Sequence, residues 1–287
     1  MKTIYPTFYK DFRCRAGACA HSCCKGWEID IDPETARRYL SAPPPLGDRL
    51  RGAIAFDGET WAFRLTGDER CPFLNSSGLC DIITAWGDGA LCDICREHPR
   101  FYETVGEYEL QGLGLACEEA ASLLINAKEL RFTDGGSEYD LPVLIKETTG
   151  EELSFDPSFH PDCDPESVRL ILALFGDTEP IDDRWTADLN ALTARLPETA
   201  RKAREYRNAY DRALYGRIYQ YILYRQLERA EYTSLPLLER YAHICASYIF
   251  IADACGAGTA EAARRFSEQI EYSTENVDII VDGVPNP

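Results

Sequence analysis

The chain has 287 residues, 45% hydrophobic and 27% charged, with 16 Tyr and 12 Phe, so it can build a packed core and wholesale disorder is excluded. Thirty basic residues against 48 acidic ones give a formal charge of −18 and a pI near 4.7, which argues against a general binder of nucleic acid or of anionic membranes. At roughly 100–200 residues per domain the length suits one large domain or two of moderate size. Residues Met1 to Phe12 show neither the apolar stretch nor the small-residue cleavage site of a secretory leader. The longest strongly apolar stretch, Ile244 to Ala252, is far short of the about 20 residues a membrane span needs. The expectation is a soluble, cytoplasmic protein.

In chain order, Trp27 to Asp32 alternates apolar and polar residues and predicts a short strand. Asp32 reads as an N-cap with Pro33 in the first helical position, opening a helix to about Leu40 that Ala42 to Pro45 ends. Trp61 to Leu65 predicts another strand. Cys71-Pro-Phe-Leu then leads through an Asn75 to Gly78 turn into Cys80-Asp-Ile-Ile. Glu103 to Leu115 suggests a hairpin turning near Gly106, and Cys117 starts a helix to about Ala127. Residues 132–163 are rich in Gly, Asp, Glu, Pro and Ser and read as an irregular connection. From the Asp164-Pro165 cap onward, helices are expected at 165–175, 184–196, 198–229, 234–254 and 258–271. The fold class is therefore mainly α. A small cysteine-rich α+β metal-binding module (1–130) is followed by an irregular connection (131–163) and an all-α domain (164–287).

Nine of the 12 cysteines lie between residues 14 and 117: Cys14, Cys19, Cys23, Cys24, Cys71, Cys80, Cys92, Cys95 and Cys117. Nine cannot all pair in disulfides, and no leader points to an oxidising compartment, so thiolates gathered around a metal are the better reading. The spacing C-x4-C-x3-C-C, then Cys71-x8-Cys80 and Cys92-x2-Cys95, supplies chelating clusters from separate parts of the chain. Soft thiolates select zinc or an iron–sulfur cluster over hard cations. Cys163, Cys245 and Cys255 read as small hydrophobes. Tyr206, Tyr210, Leu214, Ile218, Tyr221 and Arg225 keep near-helical spacing, widened by Tyr215, Tyr219 and Ile222. That is an amphipathic packing face or, more sharply, an aromatic wall beside an amine.

The segments Phe12-Arg-Cys14, Cys19-x-His-x-Cys23-Cys24-Lys-Gly-Trp-Glu-Ile, Cys71-Pro-Phe-Leu, Gly78-Leu-Cys80-Asp-Ile-Ile and Leu91-Cys92-Asp-Ile-Cys95-Arg-Glu-His-Pro-Arg100-Phe-Tyr resemble the flagellin lysine N-methylase family. Gly112-Leu-Gly-Leu-Ala-Cys117-Glu-Glu-Ala and Ser267-Glu-Gln-Ile-Glu-Tyr-Ser-Thr-Glu-Asn276 extend the resemblance. The N-terminal third also resembles a broader family of zinc- or iron-chelating cysteine-cluster proteins. The resemblance implies methyl transfer from S-adenosylmethionine to lysine ε-amines of flagellin, with a 4Fe-4S cluster, or alternatively zinc, held among the nine cysteines.

Such chemistry needs a neutral amine, supplied by desolvation between aromatics with a carboxylate or tyrosine nearby. Glu97, His98, Glu118 and Glu119 flank the cysteine motifs, and His98 doubles as a metal-ligand candidate. Arg96 and Arg100 suit a cofactor carboxylate or the charge of a thiolate-bound cluster. Gly112-x-Gly114 lacks the third glycine of a dinucleotide fingerprint. Gly26 stands where a C-x3-C-x2-C radical motif starting at Cys19 would need cysteine. The alternative function is a zinc- or iron-chelating protein without enzymatic activity.

Overall fold

The computed structural model describes residues 1–153 and 158–284. Two compact units emerge, one of residues 13–99 and one that combines residues 1–12 with 100–287. The N-terminal strand β1 (Lys2–Pro6) belongs to the second.

The cysteine-rich unit 13–99 contains β2 (Asp30–Ile31), α1 (Pro33–Leu40), α2 (Leu46–Ala53), β3 (Ile54–Phe56), β4 (Trp61–Phe63), α3 (Asp81–Trp86) and α4 (Asp93–Glu97). Its sheet is small, with antiparallel order β2-β4-β3. As the sequence predicts, Asp32 caps α1, accepting from Thr35 N at 2.8 Å, with Pro33 in the first turn. Tyr39, Leu50, Phe63, Phe73 and Ile82 form the centre of its core. Helix α2 went unforeseen because the Pro43 to Pro45 run reads as a terminator, whereas Pro45 itself is the residue that precedes the new helix.

The other unit continues with β5 (Arg100–Val105), β6 (Tyr108–Leu113), α5 (Glu118–Asn126), β7 (Phe132–Thr133), β8 (Glu138–Tyr139) and α6 (Leu141–Thr149). Its helical part follows: α7 (Pro165–Gly176), α8 (Asp183–Ala194), α9 (Leu196–Tyr206), α10 (Arg212–Arg225), α11 (Leu235–Ala254), α12 (Thr259–Phe266) and α13 (Thr274–Gly283). The sheet order is β5-β6-β1-β7-β8, with β1 parallel to β6 and the remaining pairs antiparallel. The β5–β6 hairpin turns at Gly106, whose φ of +56° is costly for a side chain with a Cβ. Helix α11 buries Tyr241, Cys245, Tyr248, Phe250 and Ile251 on several faces, which is why it reads as apolar nearly all round.

Four expectations change. The boundary predicted at residue 130 falls inside the helical unit, because β1 pairs with β6 and β7 and draws the N-terminal residues into it. The connection at 131–163 holds β7, β8 and α6, and Asp140 caps α6 by accepting from Val143 N at 3.0 Å; its residues 154–157 lie outside the described residues. The single helix expected over 198–229 divides at Arg207 to Asp211, where Asp211 caps α10 through Leu214 N. The helix expected over 258–271 ends at Phe266 and passes into a π-helical turn, Ser267–Glu271.

Candidate functional site

Within the unit 13–99, local structure brings three cysteine-bearing segments onto one core. The Cys23–Cys24 segment joins the next through Cys71 N, which donates to the Cys24 carbonyl at 2.8 Å, and through a Lys25–Arg70 bridge. A Leu74–Cys80 bridge returns the chain, so that Cys80 precedes α3 and Cys92 precedes α4. Cys71 and Cys92 are buried in the core of Tyr39, Phe63 and Phe73, and Cys24, Cys80 and Cys95 pack against it. The loop of Cys14 and Cys19 lies against the Ser77–Gly78 turn: a Cβ on Gly17 would stand 2.6 Å from the Ser77 carbonyl oxygen. Cys14 and Cys23 are exposed and Cys19 half-buried. The Cys19 thiol donates to the His21 carbonyl at 3.3 Å.

The thiols act on one another. A hydrogen bond with Cys23 lowers Cys24 to about 7. Burial pushes Cys71 up to about 12, reinforced by the charges of Cys24, Cys80 and Cys92. Cys95 is driven far up, first by its hydrogen bond with Cys92, then by burial and by the charges of Cys92, Cys24 and Cys71; the same bond lowers Cys92. The charges of neighbouring thiolates thus raise Cys71 and Cys95, an effect that a bound cation would reverse. The donor chemistry fits zinc or an iron–sulfur cluster. As the side chains stand, no three His, Cys, Asp or Glu groups among the described residues could hold a metal ion, so a metal would have to draw these thiols together.

The other predicted residues disperse. Burial alone lowers His98 to about 4, leaving a neutral imidazole at the end of α4. Arg96 is an exposed partner of Asp93 and Glu97. The Arg100 guanidinium lies 5.9 and 5.3 Å from the Tyr9 and Phe12 ring centres. Cys117 belongs to the helical unit, where it caps α5 at its N-terminal end, followed in the first turn by Glu118 and Glu119. Cys163 and Cys245 are buried and Cys255 half-buried.

The tyrosines of α10 serve packing. Tyr215 donates to Asp253 at 2.6 Å, Tyr221 bonds both backbone groups of Leu113, and Tyr224 donates to the Gln111 and Ile4 carbonyls. At the end of the same helix stands a polar cluster that sequence reasoning missed. Arg225 is sandwiched between the rings of Phe101 and Tyr272, 4.8 and 4.9 Å from their centres. Its Nη2 donates to the Glu271 carbonyl at 3.0 Å, and its Nη1 lies 3.4 Å from Glu271 Oε2. Nearby, burial and a hydrogen bond to Glu228 raise Glu103 to about 8. The Gly112-x-Gly114 pair held the signal: Gly112 lies under the Phe101 ring, and a Cβ on Gly114 would meet Tyr272 Oη at 2.2 Å and Arg225 Nη1 at 2.9 Å.

No protein-family model matches the chain, and neither does any solved structure, so the wider chelating-family resemblance rests on the cysteine motifs alone. Over 133 residues the chain is 32% identical to the flagellar biosynthetic protein FliU of Salmonella muenchen, an alignment covering 42% of this chain and 75% of FliU. It is equally 32% identical, over 133 residues, to proteins named lysine-N-methylase from Salmonella choleraesuis strain SC-B67 and Salmonella typhimurium strain LT2. There the alignment covers 42% of this chain and 32% of each relative, so the chain spans about a third of their length. On the match that covers most of FliU, the chain belongs to the flagellar lysine methylase-related family that these proteins represent.

Proposed function

We propose that the protein methylates lysine ε-amines of another protein, with S-adenosylmethionine as donor, flagellin as substrate, and a 4Fe-4S cluster held in the cysteine-rich unit. The observation that carries the reading is the identity to the two lysine-N-methylases; the name of FliU supports a flagellar substrate. Cys24, Cys71, Cys80, Cys92 and Cys95, gathered on one core, support the cluster, with Cys14, Cys19 and Cys23 as further thiols of the same unit.

S-adenosylmethionine offers a methyl group on a sulfonium sulfur, which departs as a neutral thioether when the amine nitrogen forms the new N–C bond. The attacking amine must first lose its ammonium proton. Glu103, raised to about 8 and partnered by Glu228, loses its proton as pH climbs through about 8, and its deprotonated form is the base for the amine. The test incubates anaerobically prepared protein with flagellin and methyl-labelled donor and maps label on lysine. The same convergence of thiols favours a second reading, a zinc- or iron-chelating protein without enzymatic activity; metal retention with no label transferred would select it.

A further inference from the structure

Three carboxylates in the helical unit show how its acidic side chains are partnered. Asp253 Oδ2 accepts from Tyr206, Tyr215 and Thr259 hydroxyls at 2.9, 2.6 and 2.6 Å. Glu268 accepts from Arg264 at 3.0 Å and Arg265 at 2.7 Å, and Asp182 from Arg265 at 2.7 Å. Glu271 departs from this pattern. Its side chain is fully buried, yet neither carboxylate oxygen has a hydrogen bond among the described residues. Arg225 Nη1, at 3.4 Å, is an ion-pair neighbour without hydrogen-bond alignment, and the buried Tyr241 hydroxyl, within the field of Glu271, has only the weak Cys245 thiol as a side-chain partner. Buried polar groups are rarely left without partners, so the pair is suited to take up a polar ligand.

Charge decides what that is. Arg225 and Glu271 together are neutral, and a lone cation or anion added beside them would leave a net buried charge, which is expensive. A group carrying both an anionic and a cationic end adds none. Its carboxylate would take Arg225 Nη1 and the Tyr241 hydroxyl, and its ammonium, with three donors, the two Glu271 oxygens. Glu271 ends a π-helical turn, a local irregularity common at functional sites, and Tyr272, 41% exposed, stands between Arg225 and solvent. We infer that the Arg225–Glu271 pair beneath Tyr272 binds the zwitterionic head of an α-amino acid. That this head is the one carried by S-adenosylmethionine rests on the proposed methyl transfer; the head-group chemistry does not.

Calorimetric titration of the full chain with S-adenosylhomocysteine, methylthioadenosine (which lacks the amino-acid head) and methionine tests this. Glu271→Gln, nearly isosteric, should weaken S-adenosylhomocysteine about tenfold or more and leave methylthioadenosine unchanged. Gly114→Ala, which pushes on Tyr272 Oη and Arg225 Nη1, should weaken it too, so the inference survives a misfolded Gln variant. Methionine binding that depends on Glu271, without binding of either nucleoside, would keep the amino-acid site and remove the methyl donor. Equal S-adenosylhomocysteine affinity in the wild type and both folded variants, or no binding of any amino-acid probe, would overturn the inference and leave a water-filled cluster. Lysine methylation by a wild type that gives such a result would leave the methylase reading standing.

Discussion

Around Tyr39, Phe63 and Phe73 the unit 13–99 gathers a small core in which Cys71 and Cys92 are themselves buried members, and its longest helices have eight residues. The helical unit instead packs aromatic residues from many elements: Phe159, Phe175, Tyr215, Tyr221, Tyr224, Tyr241, Phe250 and Phe266 are almost wholly buried. The contrast teaches where each finds its stability. A small core with modest helices gains most from cross-linking by a ligand, since cofactor binding energy is also folding energy. A large core carries itself and tolerates the cost of a buried ionic cluster.

The widest separation between the two should come from cysteine deletion. Cys92→Ala is expected to abolish retained iron, zinc and sulfide and to destabilise the cysteine-rich unit by several kcal/mol. Cys245→Ala, in the core of α11, should cost about 1–2 kcal/mol and leave metal content unchanged. Metal analysis and melting of both variants read this out. Equal metal content in the two would break the comparison.

Inside the helical unit, Asp253→Ala removes the acceptor of three hydroxyls and leaves the wholly buried Tyr215 without its partner. A loss of about 2–4 kcal/mol in denaturant unfolding is expected. A loss below about 0.5 kcal/mol would show that aromatic packing alone sets these helices.

The last comparison concerns pH. Glu103 rises from 4.5 to about 8 on folding, mainly through burial, so the folded state holds a proton that the unfolded chain releases. Its contribution is complete below about pH 4.5 and lost as pH climbs through about 8. Glu228 is lowered, first by its hydrogen bond to Glu103, and its smaller contribution runs the opposite way, fading in acid. Glu103→Gln should therefore flatten the decline of stability between pH 4.5 and 8, and an unchanged slope would remove the shared proton.

How much could be read beforehand follows the range of each interaction. Local signals carried through: the Asp32-Pro33 and Asp164-Pro165 caps, the Gly106 turn and the helix opened by Cys117 all depend on a few neighbouring residues. The parallel pairing of β1 with β6 did not, because nothing near Lys2 announces Tyr108 as its partner. For the same reason the chelating pairs were visible as spacings, while the Cys24–Cys71 link that joins them was not. Arg225 read as one more position on an amphipathic helix. Its role depends on Glu271, which reaches it only because a π-helical turn breaks the helical phase after Phe266.

The proposed function meets its most direct test in the mass of flagellin lysine peptides after incubation with anaerobically prepared wild-type protein and S-adenosylmethionine, set beside the Cys92→Ala variant. Gains of single methyl groups on lysine with the wild type, absent with the variant, are the expected result. Metal-loaded wild-type protein that leaves every lysine unmodified would contradict it.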